Sequence, residues 1–225
     1  MFAHPPIGIS FLQHPPEGLA KWTAGEVPAG CSFWRYAFEG RSFYTEASDH
    51  YNCAVGAHTH GISQPPNRAG ILEDTVGFMV GKGYLEMAEV PAIPVLQHTP
   101  KYIAYGPAPF APSFPDLVLL ALKPYAAMLV YEAAVRAGAA QPASSILGRP
   151  GCGVLPLTVG TNSMSLSFGC KGNRTFTGLP EEELYVCVPG SKWEAVQAQL
   201  SSIERANVAM EEYYQEHQAR FPIIG

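Results

Sequence analysis

Apolar residues in this chain come in short bursts cut by proline and glycine, and few stretches hold a period long enough to define an element. Residues 7–12, Ile-Gly-Ile-Ser-Phe-Leu, lie between Pro5-Pro6 and Pro15-Pro16 and predict a short strand. Residues 101–105 predict a second, ahead of a proline-rich turn at Pro107, Pro109 and Pro112. Residues 116–122 are apolar throughout after Asp116, the pattern of a strand buried on both faces. Between 162 and 168, Met164, Leu166 and Phe168 alternate with Ser163, Ser165 and Ser167, which predicts a half-buried strand with its serines outward. A further strand is expected over 183–188.

Helical spacing is clearest in three places. Phe33, Trp34, Ala37 and Phe38 follow Cys31 at i, i+1, i+4, i+5, and Gly40 is a natural stop. Pro124 suits the first turn of a helix over 125–137, with Gly138 just past its end. Ser191 and Glu194 have capping-box spacing, and Trp193, Val196, Leu200, Ile203 and Met210 repeat behind them to about residue 217. Other segments are weaker. Residues 52–61 have no clean period and predict one helical turn closing at Gly56 or Gly61; 75–87 holds three glycines and predicts a short, interrupted helix. Pro91 and Pro94 exclude a central strand over 90–96, and 145–160 reads as a glycine-rich bend carrying Cys152. Strand 116–122 followed by helix 125–137 suggests a β-α unit. Together these elements predict an α+β fold: a single domain over 1–225, with a mixed β-sheet packed with helices and long Pro/Gly-rich loops.

Composition sharpens this picture. With 225 residues, 47% hydrophobic and 15% charged, the chain can bury a sizeable core, and 21 prolines with 22 glycines call for rigid, irregular connections. A formal charge of −5 and the lack of any Lys/Arg cluster argue against a nucleic-acid partner. The longest apolar run, residues 117–122, is too short to span a bilayer, and the proline-broken N-terminal segment has no basic region of the kind that opens a signal peptide. A cytoplasmic protein with no membrane partner is the expectation.

The candidate chemistry lies in the cysteines, of which there are five. An odd number in a reducing compartment suggests ligands, catalytic thiols or apolar fillers rather than disulfides. Cys31, Cys53, Cys152 and Cys170 each sit in or beside a glycine-containing bend, where backbone N–H groups can approach sulfur; Cys187, inside Leu184-Tyr185-Val186-Cys187-Val188, has the setting of a filler. Cys31 in the first turn of a helix would have a lowered thiol pKa. His58 and His60 flank Thr59 and would share a side only in extended chain; His50 after Asp49 has a surface or capping setting. Lys171 and Arg174 beside Cys170 either steady a thiolate or form a solvated turn. No Walker loop, G-x-G-x-x-G after a strand, H-E-x-x-H, G-x-S-x-G or C-x-x-C-H is present.

Cys31 before an aromatic helix ending Glu39-Gly40, then Asn52-Cys53-Ala54-Val55-Gly56-Ala57, resembles the family known as domain of unknown function 169. Gly151-Cys152, the run Ser167-Phe168-Gly169-Cys170-Lys171-Gly172-Asn173-Arg174, and Glu183-Leu184-Tyr185 with Pro189-Gly190 are similar to its C-terminal half. The resemblance spans about residues 7–214 and puts Cys31, Cys53, Cys152 and Cys170, but not Cys187, on the family's cysteine positions. It implies a one-domain prokaryotic cytoplasmic protein associated with anaerobic or redox metabolism, with no established activity. His58-Thr59-His60 departs from the family pattern.

Four functional readings follow. The first is an iron–sulfur protein whose cluster, of the 4Fe-4S type, is held by Cys31, Cys53, Cys152 and Cys170 for electron transfer or small-substrate activation, with a redox partner protein and a possible homo-oligomer. The second is a zinc or copper site combining cysteines with His58 or His60. The third is a thiol-redox protein working through Cys31. The fourth is a non-catalytic pocket for a small ligand such as haem, lined by Phe33, Trp34, Phe38, Tyr44 and Tyr51. The sequence alone leaves open whether the protein is an enzyme.

Overall fold

A computed structural model describes residues 4–108, 115–140, 145–147 and 149–216. Its strands are β1 (Ile7–Leu12), β2 (Phe43–Glu46), β3 (Tyr102–Pro107), β4 (Leu117–Leu122), β5 (Ser145–Leu147), β6 (Ser165–Ser167) and β7 (Leu184–Pro189). They form one sheet in the order β2-β3-β1-β4-β7-β6-β5, antiparallel at every pairing except β5 with β6. The α-helices are α1 (Ser32–Phe38), α2 (Ala54–Thr59), α3 (Ile71–Gly81), α4 (Pro124–Arg136), α5 (Val154–Thr161), α6 (Lys171–Thr177) and α7 (Trp193–Glu216). This is the α+β arrangement expected, a mixed sheet with helices on it. The expected β-α unit is present too, because α4 crosses from β4 to β5 and those strands run the same way.

Strand alternation divides the interior in two. On one side of the sheet β4 places Val118, Leu120 and Leu122, and β7 places Val186 and Val188, under Leu129 and Val130 of α4 and Val196 and Leu200 of α7. On the other side Leu117, Leu119, Tyr185 and Cys187 join Ile7, Ile9, Ile103 and Tyr105 beneath Phe33 and Trp34 of α1 and Leu155 of α5. Each such side chain taken out of water contributes roughly 1.5–3 kcal/mol.

Three segments differ from expectation. Strand β6 has Ser165 and Ser167 fully buried while Phe168 is 56% exposed. The serines pair across from Cys187 and Tyr185, so they face the α1/α5 layer, and Met164 packs under the opposite layer. A strand between two layers has no solvent face, and serine is small enough for the tighter side. Residues 151–161, expected as a bend, are a 3₁₀ turn (Gly151–Gly153) running into α5. The interrupted helix expected over 75–87 is α3, which begins four residues earlier and ends six residues earlier, and none of its residues is fully buried.

Candidate thiol site

The four cysteines share one local device: each sits at the entrance to a helix. Cys31 precedes α1, Cys53 precedes α2, Cys170 precedes α6, and Cys152 is in the 3₁₀ turn that leads into α5. Helix entrances leave backbone N–H groups unpaired, and sulfur can accept from them. Gly56 N–H donates to Cys53 Sγ at 3.3 Å. At α6 the donor and acceptor are reversed, because Asn173 Oδ1 accepts from Cys170 N–H and from the Cys170 thiol, both at 3.3 Å. Cys152 Sγ accepts from the Thr59 hydroxyl at 3.4 Å, which ties the last residue of α2 to the entrance of α5.

All four cysteines line a single cavity of about 720 Å³ between these entrances and α3. Among the described residues no three His, Cys, Asp or Glu side chains form a group able to hold one metal ion. The sulfurs instead edge a cavity of small-molecule size, within the roughly 300–1,000 Å³ such sites occupy. Cys187 is fully buried and is not among the lining residues, in keeping with its reading as a filler.

The electrostatics reverse one expectation. Burial, reinforced by the neighbouring Cys53 and Cys170, pushes the Cys31 thiol up to about 12, against a weaker opposing hydrogen bond from Asn173. Burial likewise raises Cys53, and raises Cys152 well above the ordinary thiol value, with the other cysteines adding to the effect. The shift at Cys31 is thus upward, opposite to the lowering that a helix entrance predicts. A seven-residue helix supplies less than burial removes. The same repulsion means that several thiolates can coexist here only beside a cation.

The histidines go elsewhere. In α2 His58 and His60 diverge: His58 is exposed on a second cavity with Ile62 and Leu72, while His60 is 1% exposed inside the molecule. Neither lines the thiol cavity, so a site combining the cysteines with His58 or His60 does not match this geometry. His50, expected at the surface, is also 1% exposed. Its Nε2 bonds Thr45 at 2.9 Å, its ring lies 5.7 Å from that of His60, and Gly30 leaves room where a Cβ would come within 2.8 Å of Nδ1. Burial lowers both histidines, His60 to about 4 and His50 well below its ordinary value. The aromatic pocket expected around Phe33 and Trp34 is core: both are fully buried, and neither they nor Phe38, Tyr44 and Tyr51 line the thiol cavity.

Around the sulfurs stand residues to which sequence reasoning gave no role. Asn173 is 1% exposed and fits only because residue 151 is glycine, since a Cβ there would run into Asn173 Oδ1. The signal was present as Cys170-x-x-Asn173, the spacing of a capping box, in which the 170 and 173 backbones and side chains bond reciprocally. Tyr84 accepts from Lys171 N–H at 3.0 Å, and the Arg149 guanidinium lies 4.5 Å over the Tyr84 ring. Arg174 faces away from the cavity, donating to the carbonyls of Phe168, Pro180 and Glu183.

Among the described residues no helix is long and apolar enough to cross a membrane. No curated protein and no solved structure matches the chain. One family model does match, over residues 2–199, carrying the description "Uncharacterised ArCR". With that match covering most of its length, the chain belongs to the domain of unknown function 169 family, DUF169.

Proposed function

We propose that Cys31, Cys53, Cys152 and Cys170 bind an iron–sulfur cluster of the 4Fe-4S type. The observation that carries this reading is that four thiols from four separate helix entrances line one cavity. Their chemistry fits the group. Soft sulfur suits iron–sulfur clusters and zinc alike, but the two differ in the space they need. A single zinc ion needs its sulfurs about 2.3 Å from one point. Thiols around a cavity of about 720 Å³ suit a multi-atom group better. The Gly56 N–H and the Thr59 hydroxyl that point at Cys53 and Cys152 are donors of the kind that tune cluster sulfurs. A bound cluster supplies one-electron transfer or a site for activating a small substrate. Cys31, Cys53, Cys152 and Cys170 would hold it, α3 would stand between it and solvent, and its iron would supply the positive charge that four neighbouring thiolates need. A reducing cytoplasm and a redox partner protein complete the reading.

The test is iron and acid-labile sulfide analysis of protein purified without air, with its visible spectrum. Iron and sulfide in equal amounts, lost in Cys53→Ser and Cys170→Ser but kept in Cys187→Ser, are expected. Zinc without sulfide, or a folded protein with no metal after reconstitution with iron and sulfide, overturns the proposal.

A further inference from the structure

The thiol cavity has a second chemical character, a group of cations set among apolar side chains. Acidic residues outnumber basic ones 19 to 14 in this chain. Yet apart from the thiols and Tyr84, the titratable groups among the described residues lining the cavity are Lys82, Arg149 and Lys171, with no carboxylate. None of the three forms an ion pair with a carboxylate among the described residues. Arg149 is held by stacking on Tyr84, whose hydroxyl is fixed in turn by Lys171 N–H. Stacking of this kind steadies a guanidinium while leaving its donors open.

The rest of the lining is largely apolar. It includes Val76 and Met79 of α3, Ile93, Phe176 of α6 and Phe78, which is 67% exposed and has Lys82 Nζ 6.0 Å over its ring. A helix whose sequence is Ile-Leu-Glu-Asp-Thr-Val-Gly-Phe-Met-Val-Gly would ordinarily enter a core, yet no residue of α3 is fully buried, and Leu72, Val76, Met79 and Val80 are only half-buried. Apolar surface beside three cations that make no ion pair among the described residues, two of them lying over aromatic rings, in a cavity of about 720 Å³, is complementary to one kind of molecule.

We propose that this cavity binds a small organic carboxylate with an apolar body. The body packs on α3 and Phe176, and the carboxylate faces Arg149, Lys82 and Lys171. The inference goes beyond the cluster reading and shares only its cavity, so each can fail alone.

Calorimetric titration of the full chain with 2-naphthoate, its neutral analogue 2-naphthamide and inorganic phosphate tests it, with iron and sulfide measured on the same sample. Naphthoate is expected to bind at one site about tenfold or more tighter than the amide, the effect of a charge-assisted hydrogen bond. It should also bind more tightly than phosphate and weaken as salt is raised. Lys82→Gln with Arg149→Gln should bring naphthoate down to the amide's level without changing the amide. Phe78→Ser with Val76→Ser should weaken both organic probes. Because all four side chains lie at the cavity surface, an unchanged melting temperature shows that the variants remain folded. Equal binding of naphthoate and naphthamide, phosphate as tight as naphthoate, or no binding by folded wild-type protein overturns the proposal. Naphthoate binding to a folded sample that stays free of iron and sulfide after reconstitution sustains it while removing the cluster; a loaded sample that ignores naphthoate does the reverse.

Discussion

The two faces of the sheet are built on different principles. The face under α4 and α7 is aliphatic and regular, with Val118, Leu120, Val186 and Val188 meeting Leu129, Val130, Val196 and Leu200 at strand and helix periods. The face under α1 and α5 is aromatic and irregular. It holds Phe33, Trp34, Tyr105 and Tyr185, the buried pair His50 and His60, and the route to the thiol cavity. It also keeps buried polar atoms without partners among the described residues, including Trp34 Nε1, Tyr105 Oη, His50 Nδ1 and both His60 ring nitrogens. A polar group left like this costs stability, whereas the α4/α7 layer, apart from Trp193 Nε1, has little of it. One face is an aliphatic support, and the other packs against Cys31 and Cys152 of the thiol cavity.

That contrast can be broken experimentally. The largest effect belongs to the sulfurs: Cys53→Ser with Cys170→Ser should lower bound iron by more than the roughly 10- to 100-fold that outer-shell changes cost. Elemental analysis reads this, and the melting temperature of the metal-free protein should move little. Leu120→Ala, on the aliphatic face, should do the opposite. It should cost about 2–5 kcal/mol in chemical denaturation and leave iron per folded molecule unchanged.

The histidine pair sharpens the same division. His60 has a folded-state pKa of about 4, below the ordinary 6.5, because burial penalises its charged form. The unfolded chain therefore takes up a proton first as pH falls. The stabilising contribution is whole above pH 6.5 and drains away toward pH 4. The loss is on the order of 3 kcal/mol at its full extent, and His50 acts in the same direction. Denaturation midpoints measured from pH 7.5 down to 4.5 should slope accordingly, and His60→Gln should flatten the slope.

Smaller effects are expected nearer the cavity. Gly151→Ala forces Asn173 off Cys170, at about 1–3 kcal/mol, and should weaken metal binding with it. Phe78→Ser on α3 should shift stability by no more than about 0.5 kcal/mol, since that side chain packs into no core.

What could be read from the sequence follows the same line. Strand β4 announces itself by an unbroken apolar run, and α4 and α7 by a helical period. In α7, however, the expected buried repeat ends at Ile203, and Met210 is 48% exposed because the helix runs on past the sheet. The four thiols could be picked out by their glycine neighbours, but their convergence could not, since it is made by tertiary contacts such as Thr59 with Cys152 across 93 positions. Helix α6 was hidden because Lys-Gly-Asn-Arg-Thr has poor helix propensity and is held by the Cys170–Asn173 reciprocal cap. The serines of β6 misled because alternation tells two faces apart without saying whether water lies beyond either. His60 gave no signal at all: whether it is inside depends on which way α2 is turned.

The spread of the sulfurs along the chain, from residue 31 to residue 170, fixes an order of events during biosynthesis. A nascent polypeptide has its first two thiols ready long before the last emerges from the ribosome. The cavity itself is complete only once β6 has been made and α6, which carries Cys170 at its entrance, has closed behind it. A group held by all four sulfurs, as proposed, would therefore be a late acquisition, entering beside α3.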